Sequence, residues 1–283
     1  MYLGLDSSTQ SLSAIVIDPT SGEVTCQLSI NFGIDLPQYQ APSGFIAGGI
    51  VGEVHANPQM WLEALDLLFN RLAKITDLSK IKVISGSGQQ HGSIYLDSSF
   101  SVRLAKLDSN KNLLEQLSPA FTRVTSPIWM DTSTGAECAE ITASIGDSHE
   151  VCSRSGSIAI ERFTGPQIRR FYKTAPNDYQ RTCHIHLVSS FIASVIAGKS
   201  VSIDFGDGAG MNLLNLTDLT WDEKLLAATA PDLTEKLPSP ASTTTIQGKI
   251  SSYFVRKYGF SESCRCTLFT GDNPASLVGM GAT

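Results

Sequence analysis

The stretch YLGLDSSTQSLSAIVIDPTSGEVTCQLSI, residues 2–30, decides the fold. YLGLD at 2–6 reads as a short buried strand, and SSTQ as a polar turn. SLSAIVID at 11–18 alternates and is rich in Ile and Val, the mark of a second strand. PTSGE turns the chain with Pro19 and Gly22, and EVTCQLSI at 23–30 forms a third strand. Three strands joined by short turns predict antiparallel neighbours.

Working outward, residues 31–55 show no period and predict a long loop with a small hairpin around FIAGGIVG; loops of this length are commonly functional. NPQMWLEALDLLFNRLAKI predicts a helix: Asn57 caps it, Pro58 suits its first turn, and Trp61, Leu65, Leu68 and Leu72 form an apolar stripe. KIKVISGSGQQ reads as a strand ending in a glycine-spaced polar corner, followed by a short strand in HGSIYLD. Helices are predicted at 132–145, at 163–176 up to Pro176, and at 186–199 with Gly198 as the stop. CRCTLFTG at 264–271 reads as a late strand. Asp272 is expected to cap a new helix with Pro274 in its first turn. This order predicts an α/β core carrying an inserted, mostly helical region.

Composition narrows the function classes. The 283 residues suffice for one large domain or two modest ones, and 42% are hydrophobic, enough for a sizeable core. The net charge is -6, and the first sixty residues hold no Lys or Arg. Nucleic-acid binding is therefore not expected, because phosphate contacts need clustered cations. No apolar run reaches membrane-spanning length. Met1 leads straight into YLGLDSSTQ, so no signal peptide is expected. The six cysteines are scattered without zinc spacing, which predicts reduced thiols and a cytoplasmic protein.

Four polar corners carry the candidate chemistry. In DSSTQ (6–10), Asp6 can hold a hydrated magnesium ion while hydroxyls and N–H groups face phosphate oxygens; an ordinary Asx turn explains the same residues. In GSGQQHG (86–92), amides and a neutral imidazole suit sugar hydroxyls, although a hydrogen-bonded turn also fits. Asp131 in WMD, with Asp204 and Asp207 in DFGDGAG, could form a carboxylate metal site, or Asp131 could cap a helix and DFGDG be a polar turn. In GDN (271–273), a helix N-terminus should lower the pKa of Asp272 and weaken it as a base. Neither common glycine-rich phosphate loop is present.

Together, YLGLDSSTQSL, GSGQQHGSIYLD, SPIWMDTST, ERFTGPQIRRFY, IDFGDGAGMNLLNL and FTGDNPASLVGMG resemble, in order, the N-terminal half of carbohydrate kinases of the FGGY family, most of all its eukaryote-type xylulose-phosphorylating branch. The resemblance implies an α/β, ribonuclease H-like fold of the actin and hexokinase superfamily: a mixed five-stranded sheet flanked by helices, with insertions. Residues 1–283 would be the sugar-binding N-terminal domain, with the first phosphate-loop turn at 6–11 and the catalytic Asp motif at 271–274. The C-terminal nucleotide-binding lobe would be a missing partner. It further implies ATP and Mg2+, with Asp6 associated with the metal and Ser8, Thr9 and Gln10 at the phosphates. Gln90, His91 and Asn273 would bind a sugar, D-xylulose, and Trp129, Asp131 and Arg162 would line or brace the sugar pocket. Asp272 would be the base acting on its 5-hydroxyl. Ser8 departs from the glycine that many relatives have there, and constrains the turn. Kinases of ribulose, glycerol or other polyols, and a non-catalytic sugar-binding fragment, remain as alternatives; a homodimer is compatible with the family.

Overall fold

The computed structural model describes residues 1–282. Strand β1 (Tyr2–Ser7), β2 (Ser11–Ile17) and β3 (Val24–Asn31) form an antiparallel meander, as the opening stretch predicts. Inward residues alternate along β1 and β2, so that Leu3, Leu5, Leu12, Ala14 and Val16 are buried. The predicted hairpin in the loop region is formed by Ile46–Ala47 and Val54–Ala56.

Helix α1 (Pro58–Leu72) starts where expected: the Asn57 side chain accepts a hydrogen bond from the Gln59 N–H at 3.0 Å. Its stripe of Trp61, Leu65, Leu68 and Leu72 is wholly buried. Burial of four such side chains stabilises the fold by about 1.5–3 kcal/mol each before the entropy of ordering them is set against it. Strand β4 (Val83–Gly88) runs parallel to β1, and helix α2 (Val188–Ala197) ends at Gly198 in the left-handed conformation. Strand β5 (Ile246–Lys249) pairs antiparallel with β6 (Arg265–Gly271), which runs parallel to β4 and feeds helix α3 (Asp272–Gly279).

The sheet order is β5-β6-β4-β1-β2-β3, mixed as expected but with six strands rather than five. The extra strand is β5. Its residues IQGK are only partly buried, and Gly248 sits at a register shift with φ +142°, so no apolar alternation marks it in the sequence. A second strand also escaped the periodicity: His184–Leu187 pairs antiparallel with Ser93–Leu96, within a stretch whose apolar residues run on into α2.

The helical insertion exists and has its own core. Tyr95, Ile168, Phe171, Tyr179, Ile185, Leu187 and Leu213 cluster apart from the larger core around the sheet and α1. The register places the site. Ser7 pairs with Gly88, and Gly88 with Gly271, so β1, β4 and β6 end in one row. Their three following corners therefore emerge side by side at the carboxyl edge, where ligands bind in open α/β sheets. Gly88 is required there: a Cβ would lie 2.6 Å from the Ser189 backbone N at the start of α2.

Candidate active site

A cleft of about 960 Å³ opens over this row of strand ends. Its walls include Ser8, Thr9 and Gln10 from the first corner, Gln90 and His91 from the second, and Asp272 and Asn273 from the last. Trp129 and Arg162 complete it from the insertion side. Nine of the candidate residues thus meet in one space although they come from separate parts of the chain. Phe45, Met130 and Phe163 also line it. Sequence reading missed these three because an apolar side chain, whether in a loop like Phe45 or at a helix start like Phe163, carries no mark that separates a cleft wall from a core.

Asp272 is the first residue of α3, not its cap; Gly271 occupies the cap position and makes no side-chain hydrogen bond. The Asp272 Oδ1 accepts the backbone N–H groups of Gln90 at 3.2 Å and Asn273 at 2.9 Å. Its pKa is raised, contrary to the expectation from the helix terminus. Burial is the main cause and the charge of Asp6 adds to it, while the Gln90 and Asn273 N–H groups oppose it. A raised pKa makes the carboxylate a better proton acceptor than an ordinary one. Gly271 cannot be enlarged, since a Cβ would lie 2.4 Å from the Gln90 Cγ.

His91 stands at φ +67°, a left-handed backbone that lets the corner turn its ring into the cleft wall. The ring packs on Phe163 with centroids 4.7 Å apart, and Nδ1 lies 2.9 Å from the Gly210 carbonyl oxygen. Burial, with the Arg162 charge adding to it and the Gly210 bond opposing, pushes its pKa down to about 4. The imidazole is neutral at physiological pH. With Nδ1–H donated to Gly210, Nε2 is left as an acceptor. Gly210 lies close against the ring: a Cβ there would fall 2.8 Å from the His91 Cε1 and could be accommodated only by moving the imidazole.

The Asn273 Nδ2 donates to the Gln90 Oε1 at 2.6 Å, tying the last corner to the second. The Trp129 indole N–H donates to the Thr9 Oγ1 at 2.9 Å, and that hydroxyl donates to the Gln89 Oε1 at 3.3 Å. Trp129 keeps 42% of its surface exposed, an aromatic face open to the cleft side. Ser8 turns inward: its N–H donates to the Ser11 carbonyl at 3.0 Å and its hydroxyl to Asp6. Asp6 also accepts the Ser87 hydroxyl at 2.7 Å and remains partly exposed.

Asp131 does not reach the cleft. It is fully buried and accepts the Val54 N–H at 2.9 Å, the Ser133 N–H at 2.9 Å and hydroxyl at 2.6 Å, and the Gln167 Nε2 at 2.8 Å. Burial raises its pKa, but His55, Ser133 and Val54 together hold it well below the usual carboxylate range. It braces the hairpin and the helix Thr164–Thr174 behind the wall. Nor does Asp131 join Asp204 and Asp207. No group of three His, Cys, Asp or Glu side chains suited to a metal ion occurs among the described residues. Asp204 caps the short helix Phe205–Gly208, accepting the Gly206 N–H at 2.9 Å and the hydroxyls of Thr243 and Thr270. The six cysteines are free, and no helix among the described residues is long and apolar enough to cross a membrane.

Comparison with known proteins agrees with this arrangement. Residues 1–279 match the N-terminal domain of the FGGY family of carbohydrate kinases. Xylulose kinase 2 of Arabidopsis thaliana is 43% identical over 282 residues, covering 99% of this chain and 50% of that protein. Xylulose kinases of Rattus norvegicus and Schizosaccharomyces pombe are 40% and 42% identical, with 98% and 99% of this chain and 52% and 51% of those proteins covered. The chain therefore spans about half the length of the curated relatives it matches. Among solved structures, the ligand-bound xylulose kinase of Lactobacillus acidophilus superposes with a TM-score of 0.77 at 20% identity, over 99% of this chain and 50% of that one. Plasmodium falciparum glycerol kinase with ADP gives 0.76 at 18% identity, over 99% and 50%. A six-stranded mixed sheet of this order, a cleft at its carboxyl edge and a match from residue 1 to 279 lead to one statement: the chain belongs to the FGGY family of carbohydrate kinases.

Proposed function

We propose that this chain is the sugar-binding, N-terminal domain of an ATP-dependent kinase of D-xylulose, and that Asp272 accepts the proton of the sugar 5-hydroxyl during transfer. One observation carries the reading: a carboxylate of raised pKa stands in the same cleft as two amides and a neutral imidazole that suit a polyol. The relatives at 40–43% identity are xylulose kinases, which favours the ketopentose over glycerol or gluconate. In this reading His91 accepts a hydrogen bond from a sugar hydroxyl at Nε2, Gln90 and Asn273 hold neighbouring hydroxyls, and Trp129 presents an apolar face to the sugar carbons. The Asp272 carboxylate, fixed by two backbone N–H groups on one oxygen, keeps the other oxygen free for the attacking hydroxyl. Holding that hydroxyl in place supplies much of the rate advantage in phosphoryl transfer.

Asp6 suits a hydrated magnesium ion: it offers only oxygen, is partly exposed, and lies close enough to Asp272 for its charge to be felt there. The ion, when bound with ATP, would spread the charge of the phosphates. Since the Ser8 N–H and hydroxyl are engaged within the turn, the backbone of Thr9 and Gln10 is better placed than Ser8 to meet them. The adenosine site and the wall that closes the cleft against water belong to a second lobe, so we expect little turnover from residues 1–283 alone.

Calorimetric titration of D-xylulose into this chain, with D-ribulose and glycerol as comparisons, tests the proposal. Selective heat with D-xylulose is the expected result. Equal or stronger binding of glycerol would overturn the substrate assignment.

A further inference from the structure

Behind the catalytic corner lies a carboxyl group that the reading above does not use. Asp207 is 1% exposed, in the helix Phe205–Gly208, directly under Gly271. A Cβ on Gly271 would lie 2.9 Å from the Asp207 Oδ1. The other oxygen, Oδ2, hydrogen-bonds the hydroxyl of Ser189, itself buried in the first turn of α2. Oδ1 is buried with no hydrogen-bond partner.

These facts decide the form of the group. An ionised carboxylate has about four acceptor sites and needs several donors when buried. Asp207 has one hydroxyl. An orphaned oxygen costs far less on a neutral carboxyl group than on an anion. The charges that act on it are of one sign, those of Asp204 and Asp272; no Lys or Arg is among the groups that shift it. The imidazole of His91, held by the nearby Gly210 carbonyl, is neutral and offers no compensation.

We propose that Asp207 is a positioning residue: a neutral carboxylic acid, clamped by Ser189, that supports the Gly271–Asp272 corner without placing a second negative charge behind the base. Ser189 backs onto Gly88, the end of β4; Asp207 backs onto Gly271, the end of β6; and Gly210, in the same segment, holds His91. The Ser189–Asp207 pair thus joins the two strand ends from beneath, while the bond from the Gln90 N–H to Asp272 joins them from above. Burial, with both neighbouring carboxylates adding to it, pushes the Asp207 pKa up to about 8, in keeping with a neutral form at physiological pH. The supporting role rests on the assignment of Asp272 as base; the charge state of Asp207 does not.

The test uses the whole chain with Asp207→Asn, which mimics the neutral acid, and Asp207→Ala, which removes the clamp. Infrared difference spectra between about pH 6 and about pH 9 bracket the transition near 8 and read the protonated-carboxyl stretch directly. The band should fade with rising pH in the parent, and be absent from Asp207→Asn at every pH. A band unchanged by Asp207→Asn would belong to another group, and the absence of a protonated-carboxyl band from the parent-minus-Asp207→Asn spectrum at about pH 6 would show that Asp207 is ionised there; either result overturns the proposal. Hydrogen exchange of the Gln90 amide, which donates to Asp272, reads the position of the corner without any sugar. Asp207→Ala should speed it on the order of tenfold, the scale of one buried hydrogen bond lost, and Asp207→Asn should leave it near the parent rate. Equal exchange in all three would remove the positioning role. Failure of D-xylulose to bind any of them would instead count against the substrate reading, with the infrared and exchange results standing apart from it.

Discussion

Replacing His91 by Asn should flatten the acid side of the stability profile. Asn tolerates the left-handed backbone that His91 adopts at φ +67°, so the corner itself can keep its shape. The folded-state pKa of His91 lies at about 4, below the ordinary 6.5, chiefly through burial. The unfolded chain therefore binds a proton at this position that the folded chain refuses. The stability due to a neutral His91 is complete above pH 6.5 and is lost as pH falls towards 4. Each tenfold change in proton affinity corresponds to about 1.4 kcal/mol, so the full effect is about 3 kcal/mol, of which about 2 kcal/mol falls between pH 7 and pH 5. Urea unfolding of the parent and of His91→Asn at those two pH values isolates the term, because the carboxylates and the other histidines, the buried His55 and His186 among them, are common to both proteins. The variant should be less stable at neutral pH, having lost the ring on Phe163, yet should lose about 2 kcal/mol less on acidification. An identical loss in the two proteins would refute the claim that His91 is held neutral, and with it the assignment of Nε2 as an acceptor in the cleft.

Asp272→Asn should leave D-xylulose binding nearly intact, while a protein carrying both lobes with this change should lose turnover by roughly a hundredfold or more in an ADP-release assay. Unchanged turnover would remove Asp272 from the chemistry. Gly210→Ala should displace the His91 ring, because the new Cβ would lie 2.8 Å from Cε1, and weaken sugar binding by about tenfold in calorimetry with little change in the unfolding midpoint. Gly44→Ala should lower the urea midpoint by the equivalent of ~3 kcal/mol or more, since Gly44 has φ +81° and its Cβ would fall 1.8 Å from the Thr9 carbonyl oxygen. A midpoint near that of the parent would mean that the loop does not pack on the first corner as described.

Local signals were readable where one segment contains its own cause. Asn57, Pro58 and the stripe from Trp61 to Leu72 specify α1 without help from elsewhere, and Gly198 ends α2 by its backbone alone. The corners were readable as polar breaks between apolar strands. Their meeting was not readable from spacing, because it depends on which strands lie side by side; the ordered family resemblance supplied it. Asp131 shows the limit of such transfer: its place in WMD points to the sugar, but four donors from three segments consume its oxygens inside the wall. The pKa of Asp272 shows another. A helix terminus is visible in sequence, whereas the burial that outweighs it comes from residues far along the chain. Ser189 reads as an ordinary helix residue, and Asp207 as part of a polar turn or a carboxylate metal site, because neither signals its partner.

The row formed by Ser7, Gly88 and Gly271 also bears on how the molecule is made. Gln90 and Asn273, which touch across the cleft, are 183 residues apart. As a chain emerges from the ribosome, β1 to β4 can assemble early, within the first ninety residues. The third wall has to wait until the insertion has folded and β6 has found the open edge of β4. Closing so long a loop is slow relative to the local hairpins. Until then β4 exposes an unpaired parallel edge, a ready template for the wrong strand. The segment that completes the proposed catalytic corner is thus also the one that seals the central sheet, so a nascent chain stays adhesive for as long as its cleft stays unfinished.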